Sequence, residues 1–243
     1  MFFDLAPKEE PRDFFNYEKE RLELAGFLAD PRARIAVITG LRRTGKSSLM
    51  RVALKKAGAK HVMVDARGLA TLNRKSFESA VLSGLKKIRG VGSRLLERIE
   101  SVEAGVRLSL RSSEDIWSLL GKTAPVIAVD EAQMLRGTRV DDFLAAAHDN
   151  TKCKIILTGS EIGVLESFVG KDNPKAPLFG RDYREIKMHP LAPEKAREFL
   201  LAGFSQEKKS LPEEQLGRAL ASLDGIVGWL ALYGNLEASG EKN

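Results

Sequence analysis

Short apolar runs rich in β-branched residues recur along this chain, and stretches with helical spacing lie between them. Ile35-Ala36-Val37-Ile38-Thr39, His61-Val62-Met63-Val64-Asp65, Val126-Ile127-Ala128-Val129-Asp130 and Lys154-Ile155-Ile156-Leu157-Thr158 show the pattern of strands buried on both faces. Arg184-Glu185-Ile186-Lys187-Met188 alternates more and reads as a strand nearer an edge. Residues 46–57 carry Leu49, Val52, Ala53 and Leu54 at helical spacing, residues 76–87 carry Phe77, Val81, Leu82 and Leu85, and residues 113–120 follow. Strand alternating with helix predicts a parallel sheet covered by helices, an α/β fold. Past His189-Pro190-Leu191 the strand pattern stops. Helices are predicted to begin at Pro193 and Pro212, with a third around Trp229, Leu230 and Leu232. The expected division is a sheet-bearing domain over residues 1–189 and a small helical subdomain over residues 190–243.

Composition narrows the class. The chain has 243 residues, 43% hydrophobic and 30% charged, an ordinary globular make-up with enough apolar side chains for a sizeable core. A single cysteine, Cys153, excludes an internal disulfide framework and fits a reducing cytoplasm. The N-terminus lacks the basic-then-apolar order of a secretory signal, and no apolar run approaches the roughly 18 residues that span a bilayer. A cytoplasmic protein without membrane association is therefore expected. The net charge of +6 suits a polyanionic partner such as DNA, and it equally serves solubility.

Candidate chemistry sits at the carboxyl ends of the predicted strands. Gly40-Leu41-Arg42-Arg43-Thr44-Gly45-Lys46-Ser47, followed by Ser48, fits the G-x-x-x-x-G-K-[ST] phosphate-binding loop (Walker A) without deviation. It stands between a predicted strand and a predicted helix. The glycines let the backbone wrap a phosphate with its N–H groups inward, and the helix adds its positive end. Lys46 is expected to meet the β- and γ-phosphates of ATP, and the Ser47 hydroxyl to ligate Mg2+. A second run ends in Asp130-Glu131 (Walker B). Two adjacent acids after a buried strand suit a division of labour in which Asp130 holds Mg2+ through water and Glu131 accepts a proton from the attacking water. The bland alternative is an exposed acidic turn.

Thr158-Gly159-Ser160 ends another strand. If that strand lies between the loop-bearing and acid-bearing strands, the hydroxyl of Thr158 or Ser160 stands beside the γ-phosphate; otherwise the residues form a polar turn. Arg181 either neutralises charge on the transferred phosphoryl group, from its own chain or a neighbour's, or pairs with Asp182 at the surface. Arg42 and Arg43 read as surface residues of the loop, though one of them could reach phosphate. The stretch from Leu85 to Leu96, with Gly90-Val91-Gly92 at its turn and Lys86, Lys87, Arg89 and Arg94 around it, resembles the helix-hairpin-helix of non-specific DNA binders; an ordinary turn is the alternative. His61, His148 and His189 are too scattered to suggest a metal site, and no Gly-x-Ser-x-Gly elbow offers an acyl-transfer nucleophile.

The Gly-Leu-Arg-Arg-Thr-Gly-Lys-Ser loop, the Val-Asp-Glu-Ala-Gln run, the Leu-Thr-Gly-Ser strand end and the Phe-Gly-Arg before the last strand together resemble the archaeal ATPase family. That family belongs to the STAND branch of AAA+-related P-loop NTPases, and the resemblance runs over residues 14–235. The run from Phe15 to Leu22 is similar to the family's opening segment near the adenine, with Tyr17 where an arginine is usual. Gly225-Ile226-Val227-Gly228-Trp229 is similar to the family's Gly-x-Pro-Gly lid motif, with valine for proline. Members commonly carry a C-terminal winged helix, which is not expected within this chain. The resemblance implies a three-layer sandwich with sheet order 5-1-4-3-2, a helical lid over the nucleotide, and adenine contacts at Phe15 and Tyr17. It further implies Mg2+-dependent ATP hydrolysis in a nucleotide-driven switch, with ATP and ADP as ligands and a homo-oligomer or protein partner. The alternatives are a DNA-stimulated ATPase of the origin-recognition or transposition-helper type, a P-loop small-molecule kinase, and a nucleotide-dependent scaffold with negligible turnover. Glu131 beside Asp130 speaks against the kinase.

Overall fold

The computed structural model describes residues 1–88, 114–123, 125–160, 163, 170 and 173–240. The hairpin expected at Gly90-Val91-Gly92 lies outside these residues. Five strands, β1 (Ile35–Gly40), β2 (His61–Asp65), β3 (Val126–Asp130), β4 (Lys154–Gly159) and β5 (Arg184–Met188), form one sheet in which every pairing is parallel. Its order is β2-β3-β4-β1-β5, which read from the other edge is the expected 5-1-4-3-2. Burial explains the order. The strands apolar on both faces, β1, β3 and β4, take the middle, while β2 and β5, each with exposed or half-exposed positions, take the edges.

Alternate strand residues feed two cores. Ile35, Val37, Ile127, Val129, Ile155 and Leu157 point to one face, against α3 (Arg74–Lys86), α4 (Glu114–Thr123) and α5 (Val140–Asn150), where Phe77 and Phe143 are fully buried. Ala36, Ile38, Val126, Ala128, Ile156 and Ile186 point to the other. There they meet α1 (Glu18–Ala29), α2 (Lys46–Lys56) and the C-terminal helices α6 (Pro193–Gln206), α7 (Glu213–Ser222) and α8 (Val227–Ser239). The result is helix, sheet, helix, the expected three layers. Two helices, α1 and α5, have no counterpart in the hydrophobic reading of the sequence; the family resemblance supplied the first and nothing supplied the second.

The chain's first residues are stitched to its last helices. Phe3 is buried between α6 and α8, edge-on to Phe199 and Phe204. The Phe2 N–H donates to Gln206 Oε1 at 2.9 Å, and Asn235 Nδ2 donates to the Phe3 carbonyl at 3.3 Å. Burying such a side chain contributes on the order of 2–3 kcal/mol, so this contact holds α6 and α8 together as well as the N-terminus. Among the described residues no helix is long and apolar enough to cross a membrane.

Candidate nucleotide site

A parallel sheet presents its functional groups at the carboxyl ends of its strands, and here β1 passes directly into the phosphate-binding loop. Gly40 turns with φ +148, and a Cβ there would stand 2.4 Å from the Met188 carbonyl oxygen, so only glycine lets the loop leave β1 beside the end of β5. The loop closes on itself through Thr44, whose hydroxyl donates to the Leu41 carbonyl at 2.8 Å. Lys46 and Ser47 then fall in the first turn of α2. The Lys46 ammonium donates to the carbonyls of Gly40 at 3.0 Å and Leu41 at 2.7 Å. Burial pushes its pKa down, opposed by the nearby Glu131 and Asp130 carboxylates.

The acid doublet faces this loop across the sheet. Ser47 Oγ donates to Asp130 Oδ1 at 2.9 Å. The Thr158 hydroxyl donates to the same oxygen and accepts the Glu131 N–H at 3.2 Å. Asp130 Oδ2 is buried and makes no hydrogen bond among the described residues; Arg67 Nη2 lies 3.7 Å away. Glu131 sits in the left-handed region with φ 55, a strained backbone that swings its side chain out of the strand. Gln133 Nε2 donates to Glu131 Oε2 at 2.5 Å, and Ser160 Oγ donates to it at 3.3 Å. The expected condition for Thr158 and Ser160 is met, because β4 lies between β1 and β3. Their tasks differ, however: Thr158 is wholly buried and fixes the acid doublet, whereas Ser160 is half-buried beside the Glu131 carboxylate.

A cleft of about 420 Å3 opens beside these groups. Lys46, Ser47, Arg67 and Glu131 line one part of it; Phe2, Phe14, Phe15, Tyr17 and Phe199 line another; Val227, Gly228 and Ala231 of α8 close a side. Tyr17 stacks on Phe14 at 5.8 Å and its hydroxyl donates to the His189 carbonyl at 2.8 Å, while burial raises its pKa. Charge at one end and aromatic rings at the other suit a nucleoside phosphate. A hard divalent cation fits as well. Ser47 and Asp130 supply oxygen donors, one carboxylate oxygen lacks a hydrogen-bond partner, and a magnesium ion takes few protein ligands when phosphates complete its shell. A larger cavity of about 890 Å3 lies at the other rim of the sheet between α1 and α2, but no residue of the loop or the acid doublet lines it.

The model of an ATPase domain found predominantly in Archaea matches residues 14–232. The chain belongs to that family. Its activity is therefore ATP hydrolysis, and it is a P-loop ATPase related to the AAA+ group. The ATPase is similar to the Walker-type ATPase PABY2304 of Pyrococcus abyssi, at 28% identity and TM-score 0.79, over 99% of this chain and 73% of that one. It is also similar to domain III of the Thermotoga maritima replication initiation protein DnaA, at 15% identity and TM-score 0.57, over 99% and 93%. A mutant of Thermotoga maritima RuvB matches at 12% identity and TM-score 0.56, over 96% and 64%. The last two likenesses show the fold alone. Comparison with curated proteins finds no match.

One expected site residue lies away from the cleft. Arg181 of the ATPase precedes β5, at the amino-terminal rim of the parallel sheet, about one strand length or 16–20 Å from the loop. Its Nε donates to Asp149 Oδ1 at 3.1 Å and its Nη1 to the Pro177 carbonyl. The expected surface partner, Asp182, is replaced by Asp149, and the side chain is out of reach of its own chain's Gly40–Ser47 loop. Arg43 is no bare surface residue either: its guanidinium lies 4.1 Å over the Trp229 ring, and its carbonyl accepts the Gly228 N–H at 2.9 Å. Sequence reasoning missed Phe2, Lys8, Arg67 and Gln133. Lys8 donates its N–H to Ser48 Oγ at 2.9 Å, a contact between residues 40 apart that no local pattern announces. Arg67, two residues past a strand that ends in Asp65, and Gln133, two past Glu131, did carry a signal: polar groups just beyond strand ends on the rim of the loop.

Proposed function

We propose that this ATPase is Mg2+-dependent and of the STAND type, a nucleotide-driven switch in which residues 1–189 bind ATP or ADP and residues 190–243 form a lid. The observation that supports the reading is the Ser47–Asp130 hydrogen bond of 2.9 Å beside Asp130 Oδ2, which makes no hydrogen bond among the described residues, since these oxygens would serve as donors to a metal ion. Magnesium bound there would neutralise charge on the phosphates. Backbone N–H groups from Gly40 to Ser48 and the Lys46 ammonium would hold the β- and γ-phosphates, with Leu41, Arg42, Arg43, Thr44 and Gly45 completing the loop. Phe15 and Tyr17 would pack on the adenine.

Glu131 would accept a proton from a water whose oxygen bonds to the γ-phosphorus. The bridging P–O bond breaks in the same displacement, its electron pair leaving on ADP. Gln133 and Ser160 hold the Glu131 carboxylate in place for that transfer. Arg181 would assist only from a neighbouring copy, in an oligomer. The Gly228–Arg43 bond supports the lid, because it ties the loop to the start of α8. Work in the cytoplasm with a protein partner is part of this proposal. The test is Glu131→Gln: ATP affinity retained and phosphate release abolished supports it, and release at the parent rate overturns the assignment of the base.

The net charge of +6 favours one second reading, stimulation by DNA. ATPase rates with and without DNA across a salt series separate the two, since a DNA-driven rate falls steeply with salt.

A further inference from the structure

Asp65 ends β2 and Asp130 ends β3, and the register pairs the two residues directly. After Asp65 the chain turns through a short 3-10 helix (Ala66–Gly68), capped by Asp65, whose carboxylate accepts the Arg67 N–H at 3.0 Å. The same carboxylate grips the Arg67 guanidinium in two places, Nε at 3.0 Å and Nη2 at 2.9 Å. The fork lies against the metal-site acid, with Nη2 3.7 Å from Asp130 Oδ2, the buried oxygen that makes no hydrogen bond. Ala66, wholly buried, anchors the turn, while the Arg67 side chain is half exposed and lines the cleft with Lys46, Ser47 and Glu131.

A guanidinium carries five N–H donors, and Asp65 takes two of them, so among the described residues three make no hydrogen bond and can meet the oxygens of a phosphoryl group. Two other candidate arginines are committed elsewhere. Arg43, which also lines the cleft, is stacked on Trp229, and Arg181 is held at the opposite rim by Asp149. Hydrolysis spreads charge over the γ-phosphoryl oxygens as the bond to ADP breaks, and a positioned cation there contributes large rate factors.

We propose that Arg67 is a catalytic residue of this ATPase, contacting the γ-phosphoryl group of ATP from within the same chain, with Asp65 as its positioning residue. This assignment rests on the nucleotide-site reading above. Asp65 pre-orients the fork, so little side-chain freedom is lost when the phosphoryl group arrives. ADP offers Arg67 nothing to hold, which makes the residue a discriminator between the two nucleotides.

The experiment compares Arg67→Ala, Arg67→Lys and Asp65→Asn with the parent for turnover and for equilibrium binding of ATPγS and ADP. Arg67→Ala is expected to lower kcat by about 100-fold or more, to leave ADP affinity within twofold, and to weaken ATPγS binding more than ADP binding. Arg67→Lys should recover part of kcat. Asp65→Asn should lower kcat by about tenfold, and the double variant should be no slower than Arg67→Ala alone, as expected for residues acting as a unit. Turnover within threefold of the parent in Arg67→Ala, or equal loss of ADP and ATPγS binding, overturns the proposal. Lys46→Ala, run alongside, distinguishes the failures: unchanged nucleotide binding there overturns the cleft as the nucleotide site, whereas lost binding there with a normal Arg67→Ala overturns Arg67 alone.

Discussion

Gly228 donates its backbone N–H to the Arg43 carbonyl at 2.9 Å, so the first turn of α8 is bonded to the middle of the phosphate-binding loop. The approach leaves no room for a side chain. A Cβ on Gly228 would stand 2.7 Å from Arg43 Cβ and 2.9 Å from the Arg43 oxygen, both on a loop that cannot retreat without opening the phosphate cradle.

Gly228→Ala is therefore expected to cost about 1–3 kcal/mol of stability through overpacking and to weaken ATP binding as well. Trp229 is the natural reporter, since Arg43 covers its ring at 4.1 Å. With Trp117 replaced by Phe, indole fluorescence should change on nucleotide addition in the parent and much less in Gly228→Ala. An identical response in both proteins would mean that loop and α8 move independently.

Ser47→Ala removes one hard donor and its bond to Asp130. The Mg2+ concentration for half-maximal turnover should rise at least tenfold, equivalent to about 1.4 kcal/mol. Metal-free ADP binding, which the proposal assigns to Lys46 and the loop amides, should hardly change. A magnesium requirement equal to the parent's would remove Ser47 from the metal site.

Much of this was legible because the central strands announce themselves: Val126-Ile127-Ala128-Val129 can only be buried on both faces, and the loop motif must follow a strand to work. The helix α5 was less so. Its apolar residues Val140, Phe143, Leu144 and Ala147 keep helical spacing, but no capping side chain marks its start, where Arg139 takes the left-handed region. In α1 the buried Leu24 and Phe27 follow the polar run Glu-Lys-Glu-Arg-Leu-Glu, and Leu22 faces outward, so no single face stands out. The site divided similarly. Lys46, Ser47, Asp130 and Glu131 lie in contiguous motifs, whereas Arg67 earns its place through a cross-strand register and Phe2 through a contact 204 residues away. Arg181 misled for a topological reason: the start of a parallel strand lies at the rim away from the loop.

Phe3 links the chain's beginning to its end. Its ring is almost wholly buried against Phe199 and Phe204 and fills the space beside Gly203 and Gly234. Phe3→Ala should cost about 3–5 kcal/mol in denaturant unfolding. Residues 2 and 4–8 line the cleft, so nucleotide affinity should fall in parallel. A loss below about 1 kcal/mol would show that the N-terminal segment is not anchored by this ring.

Arg181 and Asp149 give a prediction about pH. Arg181 first, and His148 second, hold the Asp149 carboxyl down at about 2, against an ordinary value of 3.8. A depressed carboxylate contributes stability that is fully present above its unfolded pKa and is lost as pH falls through its folded one, here between about 4 and 2. Asp149 is half exposed, so solvent screening keeps the pair below about 1 kcal/mol. Arg181→Ala should therefore be less stable than the parent by that small amount at neutral pH, and the difference should shrink as the solution is acidified through that window. Turnover of monomeric protein at neutral pH should stay within twofold, because Arg181 lies at the rim of the sheet away from its own chain's loop. A tenfold loss of turnover, restored by mixing with Lys46→Ala chains, would instead show Arg181 acting across an interface between copies.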